Sequence, residues 1–287
     1  LPTAGSRRRK LPVSLPDTGI RNIRMIFIRS LLFNIAFYLN LIIQMIIWTP
    51  YYFLAPRDKA WFVPKFWARS NHWLMEKIVG TRYEIEGLEH IRHEACIIAP
   101  KHQSFWDAYG FVPHVPDPIY ILKRELMWIP LFGWYVGKMK MIPVHRGSRS
   151  VALKSIVKGA QPAIQQKRQI MIYPEGTRRA PGDTPNYKFG IAHLYTELKL
   201  PVVPIAHVAG LYWPRRQFMR YPGTIKCRVL PAIQPGLSTE EFLKELQRVT
   251  EAACDDLLIE AATSPNPPHL PPTAVKRLSE LGVAAHG

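Results

Sequence analysis

Between residues 30 and 56 the chain carries no charged side chain. Its densest apolar part, LLFNIAFYLNLIIQMIIW at 31–48, would be about 27 Å long as a helix, close to the thickness of bilayer hydrocarbon. The run is too long for the apolar region of a signal peptide, and no small-residue cleavage pattern follows it. Asn34, Asn40 and Gln44 interrupt it, which makes it a mediocre spanning segment. Arg21, Arg24 and Arg29 precede the run and Arg57, Lys59, Lys65 and Arg69 follow, so the positive-inside rule assigns no orientation. Two geometries stay open: a crossing, or a dip into one leaflet with both flanks cytoplasmic. Beyond it, Trp48, Tyr51, Tyr52, Phe53, Trp61, Phe62, Phe66, Trp67 and Trp73 alternate with basic residues, a mixture suited to lipid headgroups. The competing interpretation is a pair of ordinary buried helices.

After residue 81 the pattern changes. Short β-branched or apolar runs at 82–86, 95–100, 119–123, 140–144, 169–173, 202–207 and 225–230 predict strands. Helical patterns at 104–112, 149–166, 190–198 and 239–262 separate several of them. The alternation predicts an α/β fold: a mixed central sheet of about seven strands flanked by helices. It is preceded by an N-terminal membrane-associated helical pair. The expected organisation is a disordered basic extension over 1–24, membrane-associated helices over 25–80, an α/β domain over 81–262 and a Pro-rich flexible tail over 263–287. Met25 opens the apolar run, and the natural start is expected near it. Removing residues 25–73 is expected to release the protein from membranes, provided the remainder folds.

Composition narrows the partner. The 287 residues are 47% hydrophobic, which excludes a disordered chain, and 38 Lys and Arg against 21 acidic residues leave a net charge of +17. Such a balance calls for an anionic partner. No helix-turn-helix, RNP or zinc-finger signature is present, so nucleic acid is not the expected one. Charge is also localised: residues 140–179 carry nine basic residues and one acidic residue. Three scattered cysteines, Cys96, Cys227 and Cys254, form no CxxC pair, which argues against disulfide, zinc and iron–sulfur frameworks.

Candidate chemistry collects where strands end. In KHQSFWD (101–107), His102 follows a strand and Asp107 falls in the next helix. That spacing can bring the carboxylate to one ring nitrogen, leaving the other to take a proton from a substrate hydroxyl. Ser104 is better suited to capping the helix than to nucleophilic attack, and no GxSxG elbow exists. In IMIYPEGTRR (170–179), Pro174 and Gly176 force a turn presenting Glu175, Thr177 and Arg178. Glu175 can accept bonds from glycerol-type hydroxyls, and Arg178 offers a fork suited to phosphate. Lys123 ends one strand and Arg146 follows another; both could join Arg178 around a phosphate. His145 and His207 read as packing or loop histidines.

Taken in order, these motifs resemble the PlsC-like glycerolipid acyltransferase family over roughly residues 25–262. KHQSFWD matches the family's HX4D block, KMKMIPVHR its second, YPEGTR its third and VVPIAH its fourth. Lys101 stands where Asn is common, and Tyr173 where Phe is common. The resemblance implies acyl transfer from acyl-CoA or acyl-ACP to the sn-2 hydroxyl of 1-acyl-sn-glycerol 3-phosphate, or, in the same family, to another lysophospholipid or glycerol 3-phosphate. His102 is then the general base and Asp107 its orienter. Lys123, Arg146, Glu175, Gly176, Thr177 and Arg178 bind substrate, and backbone amides after His102 stabilise the oxyanion. The resemblance implies no metal and no cofactor. It places the protein on a membrane surface, at the cytoplasmic face of a bacterial inner membrane.

Overall fold

The computed structural model describes residues 17–144 and 149–283. Arg146 and His145 therefore lie outside the described residues. Seven strands form one sheet: β1 (Thr81–Glu86), β2 (Cys96–Pro100), β3 (Pro118–Lys123), β4 (Ile142–Val144), β5 (Gln169–Met171), β6 (Val202–His207) and β7 (Gly223–Val229). Their order is β1-β7-β6-β2-β5-β3-β4. All neighbours run parallel except β6 and β7, so the sheet is mixed. Every residue of β2 and β6 is buried, as expected of central parallel strands covered on both faces. Side chains alternate across β2: Cys96 and Ile98 enter one core, Ile97 and Ala99 the other.

The helices cover both faces. They are α1 (Asp17–Leu54), α2 (Arg57–Ala60), α3 (Phe62–Leu74), α4 (Asp107–Gly110), α5 (Phe132–Lys138), α6 (Arg149–Gln165), α7 (Phe189–Leu198), α8 (Ala209–Tyr212), α9 (Thr239–Ala262) and α10 (Pro272–Glu280). A capping box starts α9: Ser238 Oγ accepts from the Glu241 amide, and the Glu241 carboxylate accepts from the Ser238 amide.

Both ends of the described chain differ from the sequence pattern. α1 begins at Asp17, inside the segment expected to be disordered. Residues 272–280 are helical where a flexible tail was expected. Ala274 and Leu278, one turn apart, are fully buried, and Arg277 pairs with Asp255 of α9 through bonds of 2.9 and 2.6 Å. The prolines that read as breaks start this helix, since proline is well suited to a first helical position.

α1 lies along the α/β domain. Phe33 and Phe37 are buried in the core, and Ser30 Oγ accepts from the Arg220 amide at 2.8 Å. Further along, the ring of Tyr52 stacks on Tyr135 of α5 with centroids 4.0 Å apart. The polar residues that interrupt the apolar run all face protein. Asn34 Oδ1 accepts from Arg220, and Asn40 and Gln44 both donate to Ser70 of α3. From 31 to 48 the exposed residues are Leu31, Leu32, Ile35, Tyr38, Leu39, Ile42, Ile43, Ile46 and Ile47. By length and composition this helix could cross a membrane.

His72 of α3 is buried against Tyr83, Trp106 and Tyr109, and neither ring nitrogen has a hydrogen-bond partner among the described residues. Burial, helped by nearby His114, lowers its pKa to about 3. The unfolded chain protonates this ring below about 6.5 and the native chain does not. Stability therefore falls as pH drops from about 6.5 towards 3, by up to about 1.4 kcal/mol per pH unit. Thermal melts of His72→Phe should show a smaller loss of Tm between pH 7 and pH 4.5 than the wild type.

Candidate active site

One carboxylate builds the turn after β2. Asp107 is fully buried, and its Oδ2 accepts from the Gln103 amide at 2.6 Å and the Ser104 amide at 2.8 Å. The same oxygen lies 3.2 Å from His102 Nδ1. The turn uses residues expected to be helical, so the helix predicted over 104–112 shortens to α4. An Asp on Nδ1 holds that nitrogen as N–H and leaves Nε2 as the acceptor available to a substrate hydroxyl. Tyr173 completes the mount: its ring stacks on His102 with centroids 4.1 Å apart, and its hydroxyl donates to the Asp107 carbonyl at 3.0 Å. The sequence offered Tyr173 only as a departure from a common Phe. Its hydroxyl is the part a Phe lacks.

His207 sits behind Asp107, with Nε2 3.6 Å from Oδ1. Its Nε2 donates to the Lys101 carbonyl at 2.8 Å, and its Nδ1 accepts from the Ala209 amide at 3.3 Å. Both ring nitrogens are thus taken by backbone groups, which makes this ring structural. Ser104 is buried and its hydroxyl accepts from the Trp106 amide at 3.1 Å, which removes it as a nucleophile.

The second motif meets the first from β5, the neighbouring strand. Glu175 does not present its carboxylate to a glycerol hydroxyl as the sequence reading expected. It is 1% exposed; Oε1 pairs with Lys101 Nζ at 2.7 Å and Oε2 accepts from the His102 amide at 2.8 Å. A carboxylate at the end of a buried strand is held by the nearest donors, and here those are protein. Lys101 also contacts Glu251 of α9 at 2.7 Å. Backbone amides expected to stabilise an oxyanion are likewise engaged: those of His102, Gln103, Ser104 and Trp106 all donate to side chains.

Gly176 turns the chain at φ +64°, a region glycine enters without strain, and with Thr177 it is exposed. The Arg179 amide then donates to the His102 carbonyl at 2.8 Å, so the two motif turns are stitched together. Arg178 is half-buried, with its guanidinium 5.7 Å from the ring centre of Phe105. Lys123 is exposed at the end of β3. β5 lies between β3 and β2, so Lys123 sits two strands across from the β2 end of the site, about 10 Å by ordinary interstrand spacing. Phe105 contacts Phe37 of α1, ring centres 5.9 Å apart, so the His102 turn adjoins the apolar helix directly.

Comparison with known proteins agrees with this layout. A family model described as Acyltransferase matches residues 82–208, from β1 through β6 and both motifs. A 1-acyl-sn-glycerol-3-phosphate acyltransferase of Pseudomonas aeruginosa is 35% identical over 233 residues, covering 79% of this chain and 90% of that protein. The chain belongs to the PlsC-like glycerolipid acyltransferase family. A relative of the same name from Saccharomyces cerevisiae is 26% identical over 73% of this chain and 71% of its own length. The fold matches the crystal structure of the LPA acyltransferase PlsC from Thermotoga maritima with a TM-score of 0.68 and 22% identity, over 80% of this chain and 96% of that one. Within this PlsC-like acyltransferase, the HX4D and EGTR turns meet because β2 and β5 are neighbours in the sheet.

Proposed function

We propose that this acyltransferase moves a fatty acyl group from a thioester, acyl-CoA or acyl-ACP, to the sn-2 hydroxyl of 1-acyl-sn-glycerol 3-phosphate, forming phosphatidic acid. The observation that carries the reading is a continuous path from base to anion site to lipid face. His102 is held by Asp107, Phe105 stands three residues on beneath the Arg178 guanidinium, and Phe105 packs on an α1 whose outer surface is apolar. An acceptor with a hydroxyl, a phosphate and one acyl chain matches that sequence of environments.

His102 Nε2 takes the proton from the sn-2 hydroxyl as its oxygen attacks the thioester carbonyl. The tetrahedral oxyanion collapses, the C–S bond breaks, and the imidazolium returns the proton to the leaving thiolate. Arg178 holds the phosphate, with Lys123 at longer range; Arg146 is assigned a supporting share of the same charge. Gly176 and Thr177 form the exposed rim of the turn. Two same-family alternatives, glycerol 3-phosphate or another lysophospholipid, are less well matched. Glycerol 3-phosphate has no chain to use the α1 face, and bulkier headgroups bury the phosphate in a diester.

The enzyme works on a membrane, at the cytoplasmic face of a bacterial inner membrane in this reading. α1 is tied to the domain from Ser30 to Tyr52, so it cannot stand across a bilayer without drawing the α/β domain in with it. That attachment supports a helix lying in one leaflet. Trp128, Ile129, Leu131, Phe132 and Trp134, before and within α5, are exposed as well.

Purified enzyme given labelled lysophosphatidic acid with acyl-CoA and acyl-ACP in parallel, beside a panel of other headgroups, tests the reading. Turnover of another acceptor in preference to lysophosphatidic acid overturns it. Arg178→Ala should raise KM for lysophosphatidic acid by about 10–10²-fold, the worth of one charged hydrogen-bond pair. A monoacylglycerol acceptor, lacking phosphate, should be insensitive to the same change.

A further inference from the structure

We propose that Lys101 is a positioning residue of this enzyme, clamping Glu175 and Glu251 together and, through Glu175, fixing the backbone of the catalytic His102. The inference rests on His102 being the base of the reaction proposed above. Three separate segments meet at one nitrogen: Lys101 directly follows β2, Glu175 lies in the turn after β5, and Glu251 belongs to α9. Lys101 Nζ is 2.7 Å from Glu175 Oε1 and 2.7 Å from Glu251 Oε1. Glu175 Oε2 completes the chain of contacts to the His102 amide at 2.8 Å.

The remaining groups around the ammonium have other duties. Tyr187 donates its hydroxyl to Glu251 at 2.9 Å, and His207 binds the Lys101 carbonyl rather than its ammonium. Cys254 of α9 is a neutral thiol whose pKa burial pushes up to about 12. Burial works against the ammonium, but the Glu175 and Glu251 carboxylates outweigh it and raise its pKa, so Lys101 stays charged. One cation thus faces two carboxylates, and Glu175 is the one with no exposed side-chain surface.

A buried ion pair is weak evidence of stabilisation, because desolvation offsets the attraction. This one specifies geometry. The His102 peptide is gripped at its amide by Glu175 and at its carbonyl by the Arg179 amide. Without Lys101, Glu175 and Glu251 face each other with no counter-charge. At low pH the pair can keep a shared proton. As pH rises that proton leaves, the carboxylates repel, and Glu175 releases the His102 amide.

The test is steady-state kinetics of Lys101→Asn and of Lys101→Asn/Glu251→Gln across pH 6–9, using whichever acceptor the wild type turns over in the headgroup panel. Failure of the substrate assignment then appears in the wild type and failure of the clamp only in the variants. Lys101→Asn should lose about 10–10²-fold in kcat, the scale of a small misplacement of a catalytic group. Its KM should change little, and its loss should deepen towards pH 9. The double variant, with one carboxylate removed, should recover most of kcat and the pH profile of the wild type. If Lys101→Asn fails to fold, the double variant decides alone: a wild-type-shaped profile within about tenfold of wild-type kcat supports the clamp. A single variant indistinguishable from wild type, or a double variant no better than the single or with a loss as deep as that of His102→Ala, overturns it.

Discussion

Replacing His102 by alanine should leave a folded protein that has lost about 10²–10⁴-fold in turnover, the usual contribution of a positioned general base. The fold is expected to survive because the turn does not depend on the imidazole. Asp107 keeps its bonds to the Gln103 and Ser104 amides, and Glu175 keeps the amide of residue 102, which alanine retains. The ring stacks on Tyr173 and meets Asp107 at Nδ1. A thermal melt and a turnover assay on the same preparation separate the two effects. Wild-type turnover in a variant with wild-type Tm would remove His102 from the mechanism.

Serine at Ile42, Ile43, Ile46 and Ile47 should detach the folded enzyme from lipid vesicles. These side chains are 50–70% exposed and touch little of the protein. Burying each in acyl chains is worth about 1 kcal/mol for the exposed part. Four changes then remove about 4 kcal/mol, roughly a thousandfold in partitioning. Co-sedimentation with vesicles measures it, and undiminished binding would place the anchor elsewhere. The cruder test, deleting residues 25–73, is now expected to unfold the protein. Phe33, Phe37, Tyr52, Trp61 and Val63 belong to the same core as β6 and β7.

The local pattern was informative wherever a feature repeats over neighbouring residues. Each strand run reads as a strand because β-branched and apolar residues cluster over a few positions, and all seven are present in the sheet. α9 matches its predicted bounds because its periodicity, cap and first-turn acids agree. The His–Asp pair was legible because the partners are only five positions apart. Glu175 was misread for the opposite reason: its partners, Lys101 and the His102 amide, lie 74 and 73 positions away. Asn34, Asn40 and Gln44 looked like flaws in a membrane segment because a one-dimensional run does not say which side of a helix faces protein.

By itself, then, the order of residues determined the α/β class, the succession of strands, the motif turns and an apolar segment ahead of them. Folding decided what those parts do to one another. Only the pairing of β2 with β5 and β6, and the packing of α1 and α9 beside them, brings Glu175, Glu251 and Tyr173 to the His102 turn and sets Phe37 against Phe105. The physical reason is range. Helix and strand periodicity act over a few residues, while the charges and rings that mount His102 come from segments distant in sequence and brought together by the sheet.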